Sequence, residues 1–131
     1  MTLVNFSVVM LTGGNTVNKG KSVELLSSDG TKLCSLPDLP ADRFHHSQTG
    51  LVTCGGGITS SDQKSCYTFS AGRWKKTHTL RQRRYGHTAY ALPQGVMLMG
   101  GDAHGGFKKT TELLTDNGGA TLSINLFNER V

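Results

Sequence analysis

Paired glycines close three short apolar runs, and their spacing constrains the fold more than any other feature of this chain. The runs are Val9-Met10-Leu11-Thr12-Gly13-Gly14, Leu51-Val52-Thr53-Cys54-Gly55-Gly56 and Val96-Met97-Leu98-Met99-Gly100-Gly101, 42 and 45 residues apart. A second register keeps step with the first. Leu39-x-x-x-Arg43, Leu80-x-x-x-Arg84 and Leu126-x-x-x-Arg130 place an arginine at intervals of 41 and 46 residues. Self-similarity at a fixed period marks a repeat architecture, here three units of about 43 residues over approximately 1–42, 43–83 and 84–129. At 131 residues the chain holds one modest core, so 1–131 is a single domain.

Each unit reads as about four short strands. After each glycine pair comes a β-branched or apolar run, at 22–26, 65–69 and 111–114. A last strand follows at 33–36, 73–77 and 121–126, each behind an Asp-Gly, Ala-Gly or Asn-Gly-Gly turn. Arg43-Phe44-His45-His46 and Arg84-Tyr85-Gly86-His87 share an Arg-x-x-His pattern that opens a further strand, at 46–49 and 88–92. No long segment has helical periodicity, so the chain is expected to be all-β. Four antiparallel strands at this period describe a propeller blade, whereas a 20 to 29 residue period would indicate a leucine-rich solenoid.

In its double glycines, Arg-x-x-His pattern and strand spacing, the chain resembles the kelch-repeat β-propeller family. The resemblance covers almost the whole sequence and is fullest in the middle unit, with Gly55, Gly56, Tyr67, Trp74, Leu80, Arg84 and His87. It implies about three four-stranded antiparallel blades of an incomplete propeller. The structural marks it assigns are Gly13, Gly14, Gly55, Gly56, Gly100, Gly101, Trp74, Arg43, Arg84, His46 and His87. Two units depart from it at the large indole, since Leu33 and Ala120 stand at the repeat position of Trp74. Met1 and Val4 stand where an Arg and a His would open the first unit. Rings close with four to eight blades. The first expectation is therefore a fragment of a longer propeller, the second a pair of chains giving six blades, and the third an open array with exposed edges.

Kelch propellers bind other proteins through loops at one end, so the resemblance implies a non-enzymatic protein–protein interaction module. The longest connections, at 15–21, 59–64 and 103–109, are the expected binding loops. The alternative is an extracellular glycan- or matrix-binding module. The net charge of +5 favours acidic partners, and Arg73, Lys75, Lys76, Arg81, Arg83 and Arg84 crowd into twelve residues. Arg73, Lys75, Lys76, Arg81 and Arg83 are the candidate anionic-ligand patch. Against a single patch, strand alternation sends Arg73, Lys75 and Thr77 to one face and Trp74, Lys76 and His78 to the other. No aromatics interleave the cations, which argues against nucleic acid.

Cysteine spacing excludes a zinc ribbon or a redox motif, because Cys34, Cys54 and Cys66 contain no C-x-x-C pair. Cys54 ends one apolar run and Cys66 opens the next, so an antiparallel hairpin sets them opposite each other within disulfide reach. The competing reading is two free thiols in a reducing compartment. Asn5-Phe6-Ser7 is a glycosylation sequon, and no secretory signal is evident. An extracellular location is slightly favoured over a cytoplasmic one.

The remaining chemistry reads as structural. His46 and His87 share one repeat position, and a side chain used once per unit suits a structural hydrogen bond better than a unique catalyst. Arg43 and Arg84 are expected to bond loop carbonyls or the carboxylates of Glu24 and Glu112. His45, His78 and His104 fall into no ligand pattern, and the glycine-rich stretch at 100–106 carries no Gly-Lys-Ser or Gly-Lys-Thr. An enzyme of the galactose-oxidase kind, which carries kelch-like blades and copper, remains as a third reading. Tyr67, Tyr85 and Tyr90 do not match its copper site, so no metal, cofactor or catalytic residue is expected. No run reaches the 18 apolar residues of a membrane-spanning helix.

Overall fold

The computed structural model describes residues 8–14, 20–58, 61–62, 64–103, 106, 109–117 and 120–124. Among them the chain is all-β, without helix, and no helix is long and apolar enough to cross a membrane. The first sheet is β1 (Val8–Thr12), β2 (Val23–Ser27) and β3 (Lys32–Leu36), in that order. The second is β4 (Ser47–Thr49), β5 (Val52–Cys54), β8 (Ser65–Ser70) and β9 (Arg73–Thr79), in that order, and the connection from β5 to β8 carries a separate two-stranded hairpin of β6 (Gly57–Ile58) and β7 (Ser61–Asp62). The third is β10 (Thr88–Leu92), β11 (Gly95–Met99), β12 (Thr110–Thr115) and β13 (Ala120–Ile124). All pairings are antiparallel, and each joins strands consecutive in the chain except that of β5 with β8, between which the β6–β7 hairpin intervenes.

The turn chemistry follows the residues. Between β8 and β9, Ala71 and Gly72 both take positive φ, at 51° and 78°, as a two-residue turn matched to strand twist requires. Between β2 and β3, Asp29 accepts from the Thr31 backbone N–H at 2.8 Å and from the Ser27 hydroxyl. Those two donors hold its carboxyl down at about 2.

Strand registers place the repeats in equivalent positions. Leu11 pairs with Glu24, Thr53 with Tyr67 and Leu98 with Glu112, each two residues before a glycine pair. The equivalence breaks at two bulges. In the first sheet Leu33 is the extra residue, opposite the step from Leu25 to Leu26, and is 54% exposed. In the second the extra residue is Thr77, opposite the step from Cys66 to Tyr67. This bulge corrects the alternation expected along β9. Trp74 reaches back to the first sheet, donating to the Pro37 carbonyl, whereas His78 turns to the third and bonds the Thr115 carbonyl at 2.7 Å. The two are on opposite faces.

The core lies between the second and third sheets. Cys54, Cys66, Leu80, Leu98 and Leu114 are at most 1% exposed and are flanked by Val52, Ala89 and Val96. Leu39 and Leu80, the leucines of the repeated Leu-x-x-x-Arg, are both buried, and their backbone N–H groups donate to the carbonyls of Lys21 and Lys64. Leu126 and Arg130 lie outside the described residues.

Candidate functional site

The glycine pair of one sheet and the Arg-x-x-His of the next form a single clasp. Gly14 N–H donates to the Arg43 carbonyl at 3.0 Å, and Gly56 N–H to the Arg84 carbonyl at 2.7 Å. At the first glycine of each pair the backbone is left-handed, with φ of 66° at Gly13 and 63° at Gly55. A Cβ at Gly55 would stand 2.6 Å from the Arg84 carbonyl oxygen and 2.7 Å from His87 Cε1, so conformation and space both demand glycine. The histidine then fastens to the preceding sheet. His46 Nε2 bonds Thr12 Oγ1 at 2.8 Å, and His87 Nε2 bonds Ser47 Oγ at 2.6 Å. Ser47 pairs with Cys54, so the hydroxyl comes from the neighbouring strand where the disulfide takes up the position of Thr12. Burial, followed by the charge of Arg84 and by His46, pushes His87 down to about 4. His46 moves in the same direction, through burial and Arg43.

Each arginine threads under its own sheet. Arg43 Nη1 donates to the carbonyls of Gly55 and Ser65, both at 2.8 Å, and Nη2 bonds the Ser65 hydroxyl. Arg84 repeats the pattern with Gly100 at 2.7 Å, Thr110 at 2.8 Å and the Thr110 hydroxyl. The units differ at the residue facing Nε. Arg84 Nε donates to Glu112 Oε1 at 3.2 Å, with both side chains 0% exposed. The same carboxylate accepts the backbone N–H groups of Arg81 at 2.7 Å and Gln82 at 3.0 Å. At the matching position Tyr67 lays its ring 5.0 Å from the Arg43 guanidinium carbon, a cation–π contact. Glu24, the third member of this position, instead pairs with Lys32 at 3.1 Å and is 40% exposed.

The clasp also builds a surface that the sequence reading missed. Phe44 and Tyr85 follow the two arginines directly, and His45 lies between them, its ring 5.4 Å from Phe44 and 6.4 Å from Tyr85. His45 holds φ at 52° where the next unit has Gly86 at 61°, and its carbonyl accepts the Gly86 N–H at 2.6 Å. The Tyr85 hydroxyl donates to Asp102 at 3.1 Å. The row sits at the glycine-pair end of the sheets. Its signal was the pair of positions inside Arg-x-x-His, which repeat as an aromatic followed by a residue in left-handed conformation.

The other expected residues divide. Cys54 and Cys66 face each other across β5 and β8, their Cα atoms 4.2 Å apart, and are joined in a disulfide, while Cys34 is free and exposed. Arg73, Lys75, Lys76, Arg81 and Arg83 are all exposed. Arg73 begins β9, Lys75 and Lys76 lie within it, and Arg81 and Arg83 follow its end. Arg84, the sixth cation of that run, is buried in the clasp. Most of 15–21, 59–64 and 103–109 lies outside the described residues, as do Asn5 and His104. Among the described residues no three His, Cys, Asp or Glu side chains gather as a metal site. No protein-family model and no curated protein matches this chain.

Proposed function

We propose that the three sheets are blades of a kelch-type β-propeller and that the protein is a non-enzymatic protein-binding module. The observation carrying this reading is the clasp itself. Two successive junctions use the same glycine, arginine and histidine atoms, as a structure built by repetition requires. Three sheets are fewer than a closed ring needs, so further blades complete the ring, from more of the same polypeptide or from a second copy. Two features of the first sheet support this. Val9 and Leu11, on one face of β1, are each 49% exposed, and Glu24 on that side pairs with a lysine rather than an arginine. The row Phe44, His45 and Tyr85 offers apolar and aromatic surface of the kind that anchors protein partners.

The test uses the intact chain as bait, followed by titration of each purified candidate partner. A saturable complex lost on His45→Ala or Phe44→Ala supports the reading. Retention on heparin that depends on Arg73, Lys75 and Lys76, with no saturable protein complex, would favour the glycan- or matrix-binding alternative. Light scattering adds the state of the ring, for which a species at twice the 14.1 kDa chain mass supports closure by a second copy.

A further inference from the structure

The two junctions differ in how they balance the buried arginine. Between the second and third sheets, Arg84 Nε donates to Glu112 at 3.2 Å, and the same carboxylate accepts the backbone N–H groups of Arg81 and Gln82. Between the first and second sheets every one of these partners has changed. Thr53 pairs with Tyr67 across β5 and β8 where Leu98 pairs with Glu112 across β11 and β12. Pro40 holds the repeat position of Arg81 and has no N–H to give, whereas Ala41 keeps the donor of Gln82. Arg43 is nonetheless only 1% exposed, and among the described residues it makes no ion pair. Burial pushes the pKa of its guanidinium down, with Tyr67 opposing. Two buried polar atoms, Arg43 Nε and Thr53 Oγ1, are left without a hydrogen-bond partner among the described residues. They lie together, because the Arg43 guanidinium carbon stands over the Tyr67 ring and Thr53 shares the face of its cross-strand partner Tyr67.

We propose that the junction of the first and second sheets binds a chloride ion between Arg43 Nε and Thr53 Oγ1, in the role that the Glu112 carboxylate plays at the next junction. Buried polar atoms are nearly always hydrogen-bonded, and a buried charge is nearly always paired, so two orphaned atoms beside one unpaired cation call for an acceptor that is negative. The low dielectric of the junction strengthens that attraction over its value in water. Enclosure selects the size. Arg43 is 1% and Thr53 0% exposed, which suits a bare monatomic anion rather than a polyatomic one. The nearby carbonyls of Gly55 and Ser65 are engaged by Arg43 Nη1, so the groups left over are donors. Ala41, at the position from which Gln82 donates to Glu112, supplies a third N–H. Asp42, the carboxylate nearest in sequence, does not compete, since its side chain is exposed and lies against Gly20. The site goes beyond the protein-binding role and does not depend on it.

The experiment places the intact chain in sodium gluconate and exchanges it stepwise for sodium chloride at fixed ionic strength, following backbone amide and arginine Nε–H resonances together with the melting temperature. Saturable shifts centred on the Arg43 Nε–H and on the amides of Ala41, Thr53 and Tyr67, with a melting temperature that climbs with chloride, are the expected result. Thr53→Val exchanges the hydroxyl for a methyl and should weaken chloride at least about tenfold. Tyr67→Glu supplies the carboxylate directly and should abolish both the shifts and the chloride dependence of melting. Shifts that fail to saturate or that centre on exposed lysines and arginines, a melting temperature no higher in chloride than in gluconate, or unchanged affinity in Thr53→Val would overturn the proposal. Should Tyr67→Glu fail to fold, the shift map and Thr53→Val decide.

Discussion

Replacing Glu112 by alanine removes one carboxylate and strands three donors. Arg84 Nε loses an acceptor 3.2 Å away, and the backbone N–H groups of Arg81 and Gln82 lose theirs at 2.7 and 3.0 Å. The guanidinium keeps its bonds to Gly100 and Thr110 but stays 0% exposed with its countercharge gone. Breaking a buried pair from one side costs about 3 to 5 kcal/mol, because an uncompensated charge remains in a low-dielectric site. That is a large part of the 5 to 15 kcal/mol that typically holds a domain together. Glu24 supplies an internal control of the same residue type at the same repeat position. Its ion pair with Lys32 is 40 to 52% exposed, so Glu24→Ala should cost below about 1 kcal/mol. Urea denaturation of both variants, read from midpoints at unchanged slope, makes the comparison. Equal losses for the two, or a loss below about 1 kcal/mol for Glu112→Ala, would refute the argument that burial sets the strength of this position.

Three further outcomes are expected. In the folded chain His87 takes up its proton near pH 4, against 6.5 for a free imidazole, so the unfolded chain binds more protons between those values. Stability is therefore full above pH 6.5 and falls by about 3 kcal/mol as pH drops to 4, with His46 acting in the same direction. Urea midpoints across that range should lose part of this slope in His87→Gln, and an identical slope would count against the assignment. Reducing the Cys54–Cys66 bond frees a short loop and should cost about 3 kcal/mol, seen as a lower melting temperature with thiol reductant and no change in a double Cys→Ala variant. Gly55→Ala should destabilise well beyond Gly72→Ala. Both residues are left-handed, at about 1 to 2 kcal/mol each for a side chain, but only Gly55 would also press on Arg84 and His87.

Features with local causes were legible from the residues. Glycine pairs, Asp-Gly and Ala-Gly turns and alternating strands act over a few positions, so nearly all the strands and the opposed Cys54 and Cys66 fall where the pattern puts them. Arg43 and Arg84 do bond loop carbonyls as expected, but only Arg84 finds its glutamate, since register brings Tyr67 under Arg43 and leaves Glu24 to Lys32. Where a bulge adds one residue, counting fails. Leu33 and Thr77 are the extra residues of two bulges set at different points of equivalent strands, and one such step sends His78 to the face opposite Trp74.

By itself, then, the sequence determined the period, the strands, their turns and which residues recur at each junction, because these depend on backbone conformation within a few bonds. Tertiary structure alone decided which partner each recurring residue meets. Sheet-to-sheet packing buries the Arg84 ion pair, aligns Phe44, His45 and Tyr85, and carries the Trp74 indole across to the Pro37 carbonyl. Those outcomes depend on contacts between side chains about 30 to 40 positions apart, whose register no local pattern encodes.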